Sequence, residues 1–330
     1  MSLIELRPQG IYVPIADVYV DPWKSVPKAL ITHAHSDHAR SGSKYYLCTR
    51  DGYEVTRSRL GPNANLNAVD YGQEIAINGM RIRFYPAGHI LGSAQIRFEF
   101  KGEVLVISGD YKTESDQTCL PIEPIRCHTF LSESTFAFPF YDWPSAEFVF
   151  SEILDWWKYN QSQGCESVLR CYSLGKAQRL LLGLHELISK WPELSWEKIR
   201  VHETIEVINE AYRKSNVKIP PLQNRNVPFL PGSLHLLPPG GEDHLQGSEI
   251  RTGFCSGWMQ ISANRKRGSI DRGFVLSDHA DWKGLINVIT ETGAEKILLT
   301  HGKTEVISRY LTEKGIRAEE FKTRFGEDER

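Results

Sequence analysis

The sequence lacks several features that mark whole classes of protein. None of its apolar runs approaches the roughly 18 residues that a membrane-spanning helix requires. Its six cysteines include no C-x-x-C pair, which argues against a disulfide framework and against thiolate metal ligands. Its net charge is only −2, so the molecule as a whole has no field that attracts polyanions. What is left is a globular chain of 330 residues, long enough for one large domain with an insertion or for two domains.

The amino terminus also lacks the pattern of a secretory signal. Residues 1–8 contain Glu5 and have no apolar core followed by small residues. We therefore expect a cytoplasmic protein, in which scattered cysteines stay reduced.

Histidine is scarce, with 11 residues in the chain, yet three of them lie within six positions. The hexapeptide HAHSDH, residues 33–38, follows an apolar run that predicts a short buried strand. In an extended chain alternate side chains share a face, so His33 and His35 can converge on one ion. The turn that follows can present Asp37 and His38 to a second ion. A hydrophilic surface turn is the alternative, but this density of metal-binding side chains favours a metal site.

Three later segments end an apolar stretch in a side chain that can bind metal. These side chains are His89, Asp110 and His301. Each would lie at the carboxyl end of a strand, where α/β sheets hold their sites. Taken alone, either histidine would more often be a hydrogen-bonded core residue, and Asp110 a turn former. Beside the hexapeptide we interpret all three as ligands, with Asp110 between two ions.

All these candidate ligands are imidazoles or carboxylates. This set suits Zn²⁺ and also accepts Mn²⁺ or Fe²⁺, so ligand chemistry alone does not name the ion. A hydroxide shared by two divalent ions would exist near neutral pH, because the ions lower the pKa of bound water. The predicted chemistry is therefore hydrolysis, with this hydroxide as the nucleophile.

The pattern of elements changes near Asp142. Short predicted strands precede it, and a helix over 146–160 follows it. Strand–helix alternation over 167–171, 176–190, 199–202 and 206–215 then predicts a small parallel sheet covered by helices. Proline and glycine make the stretch from 220 to about 272 loop-rich, before strands and helices return over 273–314. From Arg324 onward, apart from Phe325, the residues are charged or glycine and are predicted to fray.

In this order, the motifs resemble those of a known family. Asp21, the hexapeptide 33–38, His89 and Asp110 resemble the successive motifs of the metallo-β-lactamase fold, an α/β protein with an αββα sandwich. Segments 132–135 (SEST), 277–281 (SDHAD) and 299–302 (LTHG) resemble the three extra motifs of the β-CASP nucleases, which cut DNA or RNA. The resemblance implies a metallo-β-lactamase domain over 1–141 and 251–330, with a β-CASP cap domain inserted over 142–250.

The resemblance also implies two divalent metal ions and a ligand set for each. The ligands of the first ion would be His33, His35 and His89. Those of the second would be Asp37, His38 and His301. Asp110 would bridge the two ions and act with Asp37 in catalysis, while Asp21 would orient a ligand imidazole.

By the same resemblance, His279 would give a proton to the leaving oxygen of a phosphodiester, with Glu133 hydrogen-bonded to it. Lys176, at the start of a helix, and Ser256 resemble family elements that lie near the substrate phosphate. Both are also typical of ordinary surface and loop positions.

The resemblance is less specific for the substrate. His301 stands where eukaryotic DNA-repair members usually carry valine, and so follows the RNA-processing pattern. The compact length and the segment LTHGK, residues 299–303, resemble the bacterial ligase-associated DNA exonucleases. We expect a metal-dependent DNA exonuclease of DNA repair, with a functional link to a DNA ligase or helicase. An RNA 3′-end processing endonuclease or exonuclease and a catalytically silent interaction module are the alternatives.

Overall fold

A computed structural model describes residues 2–222, 230–241, 249–261 and 270–325 of the chain. The chain divides into two compact units. Unit 1 comprises residues 1–142 and 279–330, and unit 2 comprises residues 143–278. Both units combine strands with helices, which confirms the predicted α/β class. In the described part of the chain, no helix combines the length and apolarity that crossing a membrane requires.

The strands, in chain order, are β1 (Glu5–Arg7), β2 (Gly10–Val13), β3 (Val18–Val20), β4 (Lys28–Leu30), β5 (Tyr45–Thr49), β6 (Leu66–Val69), β7 (Ile75–Ile77), β8 (Met80–Pro86), β9 (Ala94–Phe100), β10 (Glu103–Ile107), β11 (Thr129–Glu133), β12 (Glu166–Arg170), β13 (Ile199–Val201), β14 (Leu234–Leu237), β15 (Ile250–Cys255), β16 (Arg272–Phe274), β17 (Lys296–Thr300) and β18 (Arg317–Glu320). The helices are α1 (Tyr53–Leu60), α2 (Ala146–Ser162), α3 (Lys176–Leu187), α4 (Glu203–Lys214), α5 (Trp282–Thr292) and α6 (Thr304–Glu313).

Unit 1 contains two sheets that pack face to face. The first sheet has the order β1-β2-β3-β4-β5-β6, and the second has the order β18-β17-β11-β10-β9-β8-β7. Side chains from both sheets share one buried core, for example Val13 and Val20 of the first with Phe84 and Ile96 of the second. In β8 apolar and arginine side chains alternate, so Ile82 and Phe84 point inward while the two arginines of the strand stay more exposed. Burying each large apolar side chain contributes about 1.5–3 kcal/mol.

Helices cover the outer faces of these two sheets. On the second sheet, Val106 and Phe130 pack with Leu285 of α5 and Ile307 of α6. On the first sheet, Tyr46 and neighbouring apolar residues pack with the end of α1. Unit 1 is therefore layered as helix, sheet, sheet, helix.

Unit 2 is built on one sheet with the order β13-β14-β12-β15-β16, in which every described pair is parallel. This confirms the parallel sheet that the strand–helix alternation predicted. Helix α2 buries one face that includes Trp157, and its Trp156 ring lies 5.5 Å from Phe274 of β16. Gly183 lets α3 approach α2 closely, because a Cβ atom there would lie 2.1 Å from the Phe150 ring.

Two features of unit 2 differ from the sequence prediction. The stretch expected to be loop-rich contains β14 and β15, which flank β12 in the sheet. The return to unit 1 comes at His279 and not at residue 251, because β15 and β16 pair in the sheet of unit 2. Proline and glycine in the connections made β14 and β15 hard to predict from the sequence.

Candidate metal centre

Four strands of the second sheet deliver polar side chains to one edge. Strand β10 is parallel to β11, β11 is parallel to β17, and β8 and β10 are both antiparallel to β9. The carboxyl ends of β8, β10, β11 and β17 therefore lie at the same edge of the sheet. His89 follows β8, Asp110 follows β10, Glu133 ends β11 and His301 follows β17. The strand topology thus gathers residues that are far apart in sequence.

The first sheet contributes Asp21 and the hexapeptide from two neighbouring parallel strands, β3 and β4. The structure brings all seven predicted ligands into two groups whose ligand atoms lie within 4.8 Å of one another: His33, His35, His89 and Asp110 in the first, and Asp37, His38 and His301 in the second.

Asp110 lies between these two groups. Its Oδ2 atom is 3.5 Å from Nε2 of His33 and 3.5 Å from Nε2 of His38. Its Oδ1 atom is 3.7 Å from Nε2 of His301. These separations are too long for hydrogen bonds. They are close to the separations of about 3.3–3.6 Å between ligands in a tetrahedral site with metal–ligand bonds of about 2.0–2.2 Å. The donor atoms therefore have the spacing of metal ligands.

Several of these ligand atoms are buried and have no hydrogen-bond partner among the residues that the structure describes. They are Nε2 of His33, Nε2 of His38, Oδ1 of Asp110 and both ring nitrogens of His301. An unsatisfied buried polar atom costs about 1–3 kcal/mol. Nε2 of His33 and His38, Oδ1 of Asp110 and one nitrogen of His301 would gain partners if divalent ions bound there, because an imidazole ligates a metal through one nitrogen. The residues present therefore fit a pair of divalent ions.

The electrostatics of the cluster favour a cation. Burial lowers the pKa of His301 to about 3 and that of His33 well below its ordinary value, so both imidazoles are neutral. Burial also disfavours the charge on His38, but the carboxylates of Asp37 and Asp110 outweigh it and raise its pKa to about 10. Burial raises the pKa of Asp110 to about 8. Without a metal the excess negative charge is compensated by protons, which a divalent ion displaces.

Asp21 holds the ring of His38 in the orientation that a metal ligand needs. Its Oδ2 atom accepts a 2.8 Å hydrogen bond from Nδ1 of His38. Oδ2 also accepts a bond from the hydroxyl of Thr32 at 2.5 Å, and Oδ1 accepts one from the backbone N–H of Thr32 at 2.8 Å. Because Nδ1 donates to Asp21, Nε2 is the nitrogen that faces Asp110, and a cation that displaces its proton can bind there. This is the carboxylate–histidine arrangement that fixes the tautomer of metal-binding imidazoles.

The buried Glu133 and the partly exposed His279 form a pair beside the first group. Nδ1 of His279 lies 2.8 Å from Oε2 of Glu133, and the His279 ring centroid lies 4.7 Å from that of His89. Glu133 also accepts hydrogen bonds from the backbone N–H of Tyr111 and from the hydroxyl of Thr135. Burial opposes ionisation of Glu133, but the charge of His279 and these donors lower its pKa. Glu133 is therefore an anion that stabilises a cationic His279.

Ser134 fixes the backbone conformation at His301. Its hydroxyl approaches the carbonyl oxygens of Thr300, at 2.9 Å, and His301, at 2.5 Å. His301 and Gly302 both adopt left-handed backbone conformations, with φ of 60° and 63°. A Cβ atom on Gly302 would lie 2.6 Å from the carbonyl oxygen of Ser134, so only glycine fits here. Segments 132–135 (SEST) and 299–302 (LTHG) therefore contact each other and together set the position of His301.

Lys176 and Ser256 lie in unit 2, where local partners account for both side chains. Nζ of Lys176 donates to Oδ2 of Asp278 at 2.7 Å and to the carbonyl of Leu276 at 3.1 Å. The hydroxyl of Ser256 accepts a bond from the backbone N–H of Trp258 and caps the short 3-10 helix Gly257–Gln260. Their contact with a substrate phosphate stays a prediction.

Sequence reasoning did not single out Thr32 or Ser134. Thr32 directly precedes the hexapeptide, and a hydroxyl at that position was a signal that could have identified it. Ser134 lay within a recognised segment, but nothing in that segment showed that it would contact the chain near His301.

No model of a protein family matches the sequence. The chain is 27% identical over 315 residues to a probable DNA ligase of Opitutus terrae, an alignment that covers 94% of this chain and 30% of that protein. It is 24% identical to an RNase J-like protein of Methanocaldococcus jannaschii, over 50% of this chain and 45% of that protein. It is 29% identical to the endoribonuclease YSH1 of Mycosarcoma maydis, over 52% of this chain and 24% of that protein. The chain thus spans less than half the length of these relatives.

A solved structure supports the fold alone. A protein of unknown function from Enterococcus faecalis V583 superposes with a TM-score of 0.57 and 11% identity, covering 91% of this chain and 80% of that one. The curated relatives carry more information, because two of these three bear the names of ribonucleases. These relatives confirm the resemblance to the β-CASP nucleases that the order of the motifs predicted.

Proposed function

We propose that this protein is a metal-dependent nuclease that hydrolyses phosphodiester bonds. The observation that carries the proposal is the placement of Asp110 between two groups of buried ligands, with the Glu133–His279 pair beside it. We also propose that unit 1 is a metallo-β-lactamase domain and unit 2 the β-CASP cap. The helix–sheet–sheet–helix layers of unit 1 and the parallel sheet of unit 2 support this assignment.

The two ligand groups would hold two divalent ions, and Asp110 would contact both. The imidazole and carboxylate set suits Zn²⁺ and accepts Mn²⁺. When bound, the ions supply a water acidic enough to attack at neutral pH and offset the charge of the phosphate. Asp21 and Thr32 would keep the ring of His38 in place throughout the reaction.

His279 would supply the proton that the leaving group needs. Hydrolysis adds a hydroxyl group from water to phosphorus and breaks the bond from phosphorus to the leaving oxygen, which then takes up a proton. Glu133 holds Nδ1 of His279, so the proton on Nε2 is the one transferred. Because an alkoxide is a poor leaving group, a general acid of this kind contributes roughly 10²–10⁴ in rate.

We infer that the substrate is DNA and the activity an exonuclease of DNA repair. The match to the probable DNA ligase extends over 94% of the chain, whereas the two ribonuclease matches cover 50% and 52%. In that relative, a region similar to this chain is part of a polypeptide named for sealing DNA. Trimming of DNA ends before sealing would explain the combination and supports a functional link to a DNA ligase, while the link to a helicase remains a prediction of the family resemblance. All six cysteines lie in the described residues and none forms a disulfide, which fits a reducing, cytoplasmic location.

RNA is the second candidate substrate. The names of the RNase J-like protein and of endoribonuclease YSH1 favour an RNA 3′-end processing endonuclease or exonuclease.

Parallel digestion separates these functions. Single-stranded DNA and RNA of one sequence, labelled at either end and with or without a terminal phosphate, are incubated with protein loaded with Zn²⁺ or Mn²⁺. We expect stepwise shortening of DNA from one end, at least about tenfold faster than any cleavage of RNA. Asp110→Asn protein, purified alongside, controls for contaminating nucleases. Preference for RNA would reverse the substrate assignment, internal cuts would indicate an endonuclease, and no hydrolysis by metal-loaded protein would refute the proposed function.

A further inference from the structure

An aromatic side chain near the carboxyl end of the chain packs on the second ligand group. Phe325 is only 8% exposed, and its ring centroid lies 4.5 Å from that of His38 and 4.9 Å from that of His301. Its ring plane is within 4° of both imidazole planes, which are themselves stacked at 5.4 Å. Three nearly parallel rings therefore form one cluster, and two of them are ligands of the same proposed ion.

The segment 321–325 is anchored to the strand that carries His301. Strand β18 pairs with β17, and beyond it the backbone N–H of Phe321 donates to the carbonyl of Leu299 at 2.7 Å. The hydroxyl of Thr323 contacts that of Thr300, the residue directly before His301. The Trp23 ring then meets Phe325 edge-on at 5.6 Å. These contacts fix the position of the Phe325 ring and bury it, whereas the sequence predicted that the chain frays from Arg324 onward. Residues 326–330 lie outside the described part of the chain.

A phenyl ring at this position has a specific physical effect. It occupies space that water would otherwise fill, and it has no group that could hydrogen-bond to the imidazole nitrogens. Phe325 therefore does not compete with a cation for the ring nitrogens of His38 and His301. Parallel packing also restricts rotation of both imidazoles, which lowers the conformational entropy lost when an ion binds.

We propose that Phe325 is a positioning residue for the ion that Asp37, His38 and His301 would hold. This inference rests on the proposed function, since it assumes two ions at the described ligands. Partners that orient metal ligands typically change metal affinity by about 10–100-fold when they are removed. We expect a loss of that size at one of the two ions in Phe325→Ala.

Phe321 offers a matched control, because it is a partly buried phenylalanine on the same segment that packs against the core of unit 1. Wild type, Phe325→Ala, Phe325→Leu and Phe321→Ala are stripped of metal and reloaded with Zn²⁺. Metal content is measured by mass spectrometry after dialysis, and affinities are measured by titration against a chromophoric chelator. Thermal unfolding of each metal-free protein reports the purely structural effect of the change.

We expect two bound ions in wild type and Phe321→Ala, and one tightly bound ion in Phe325→Ala. Phe325→Leu should recover most of the unfolding temperature without recovering affinity for the second ion, since it restores apolar volume without a flat ring. Equal losses of affinity for the second ion in Phe325→Ala and Phe321→Ala, or full recovery of that affinity in Phe325→Leu, would overturn the positioning role. Either result would leave the nuclease proposal intact. A wild-type protein that binds neither ion would instead refute the proposed function itself.

Discussion

Two clusters of buried charge, one in each unit, differ in what surrounds them. In unit 2, Lys176 and Arg179 lie beside the carboxylate of Asp278, with 2.7 Å from Nζ of Lys176 to Oδ2 and 3.7 Å from Nη1 of Arg179 to Oδ1. In unit 1, the carboxylate of Asp110 faces imidazole nitrogens that can all act as Lewis bases. In the first cluster two cations lie beside one carboxylate, whereas in the second carboxylates and imidazole nitrogens could hold a cation. Burial of charge alone therefore does not indicate a metal site. A buried cluster indicates one when its carboxylate oxygens and imidazole nitrogens lie together without a lysine or arginine partner.

The partners of Lys176 also bear on its predicted role as a phosphate contact. A lysine at the start of a helix is typical of anion sites, but here its ammonium group has a carboxylate partner within the same unit. The mutations below test whether the two clusters behave as differently as their composition predicts.

The largest effect is expected for Asp110→Ala. This change removes the carboxylate that lies within 4 Å of imidazoles from both ligand groups. We expect turnover to fall by more than about a thousandfold and metal content to fall at both ions. Metal analysis and digestion of labelled DNA measure the two effects. Retention of both ions with full activity would contradict the bridging assignment.

His279→Ala should separate chemistry from metal binding. Without the proton donor, the rate should fall by roughly 10²–10⁴ while both ions stay bound. Glu133→Gln tests the same pair, since it keeps the shape of the side chain but removes the charge that stabilises a cationic His279. We expect a smaller loss of rate there, with metal content unchanged. If His279→Ala lost metal, the residue would be a ligand and the proposed roles would be wrong.

In unit 2, Asp278→Asn should affect stability and not metal content. The change leaves Lys176 and Arg179 buried without their carboxylate, which should cost about 3–5 kcal/mol in the free energy of unfolding by urea. Lys176→Met should cost less, because Arg179 still lies 3.7 Å from Asp278. Weaker binding of nucleic acid by Lys176→Met, without loss of stability, would instead restore its predicted role as a phosphate contact.

The smallest effect is expected for Asp21→Asn. The amide still accepts one bond from Thr32 but no longer provides the charge that fixes the His38 tautomer. We expect metal affinity to fall by about 10–100-fold, with measurable activity recovered at high metal concentration. Chelator titration compares it with wild type. An unchanged affinity would show that Thr32 and the packing of the ring suffice to orient His38.

The sequence predicted best what is local or repeated at strand ends. The hexapeptide, His89, Asp110 and His301 could be recognised because each follows an apolar strand, and parallel strands bring such ends together. It predicted less well what depends on distant packing. Strands β14 and β15 are short and lie among prolines and glycines, so their pairing with β12 sets their conformation more than their own pattern does. Phe325 shows the same limit, since a single aromatic in a charged tail has no periodicity to interpret.

The parallel pairing of β11 with β17 has a consequence for how the protein is made. Glu133 and Thr300 are direct neighbours in the sheet, yet all of unit 2 is synthesised between them. A nascent chain presents the hexapeptide, His89 and Asp110 first, whereas His301 joins its ligand group only after all of unit 2 has been synthesised. The first ligand group is therefore complete earlier in synthesis than the second, which requires β17 to pair with β11.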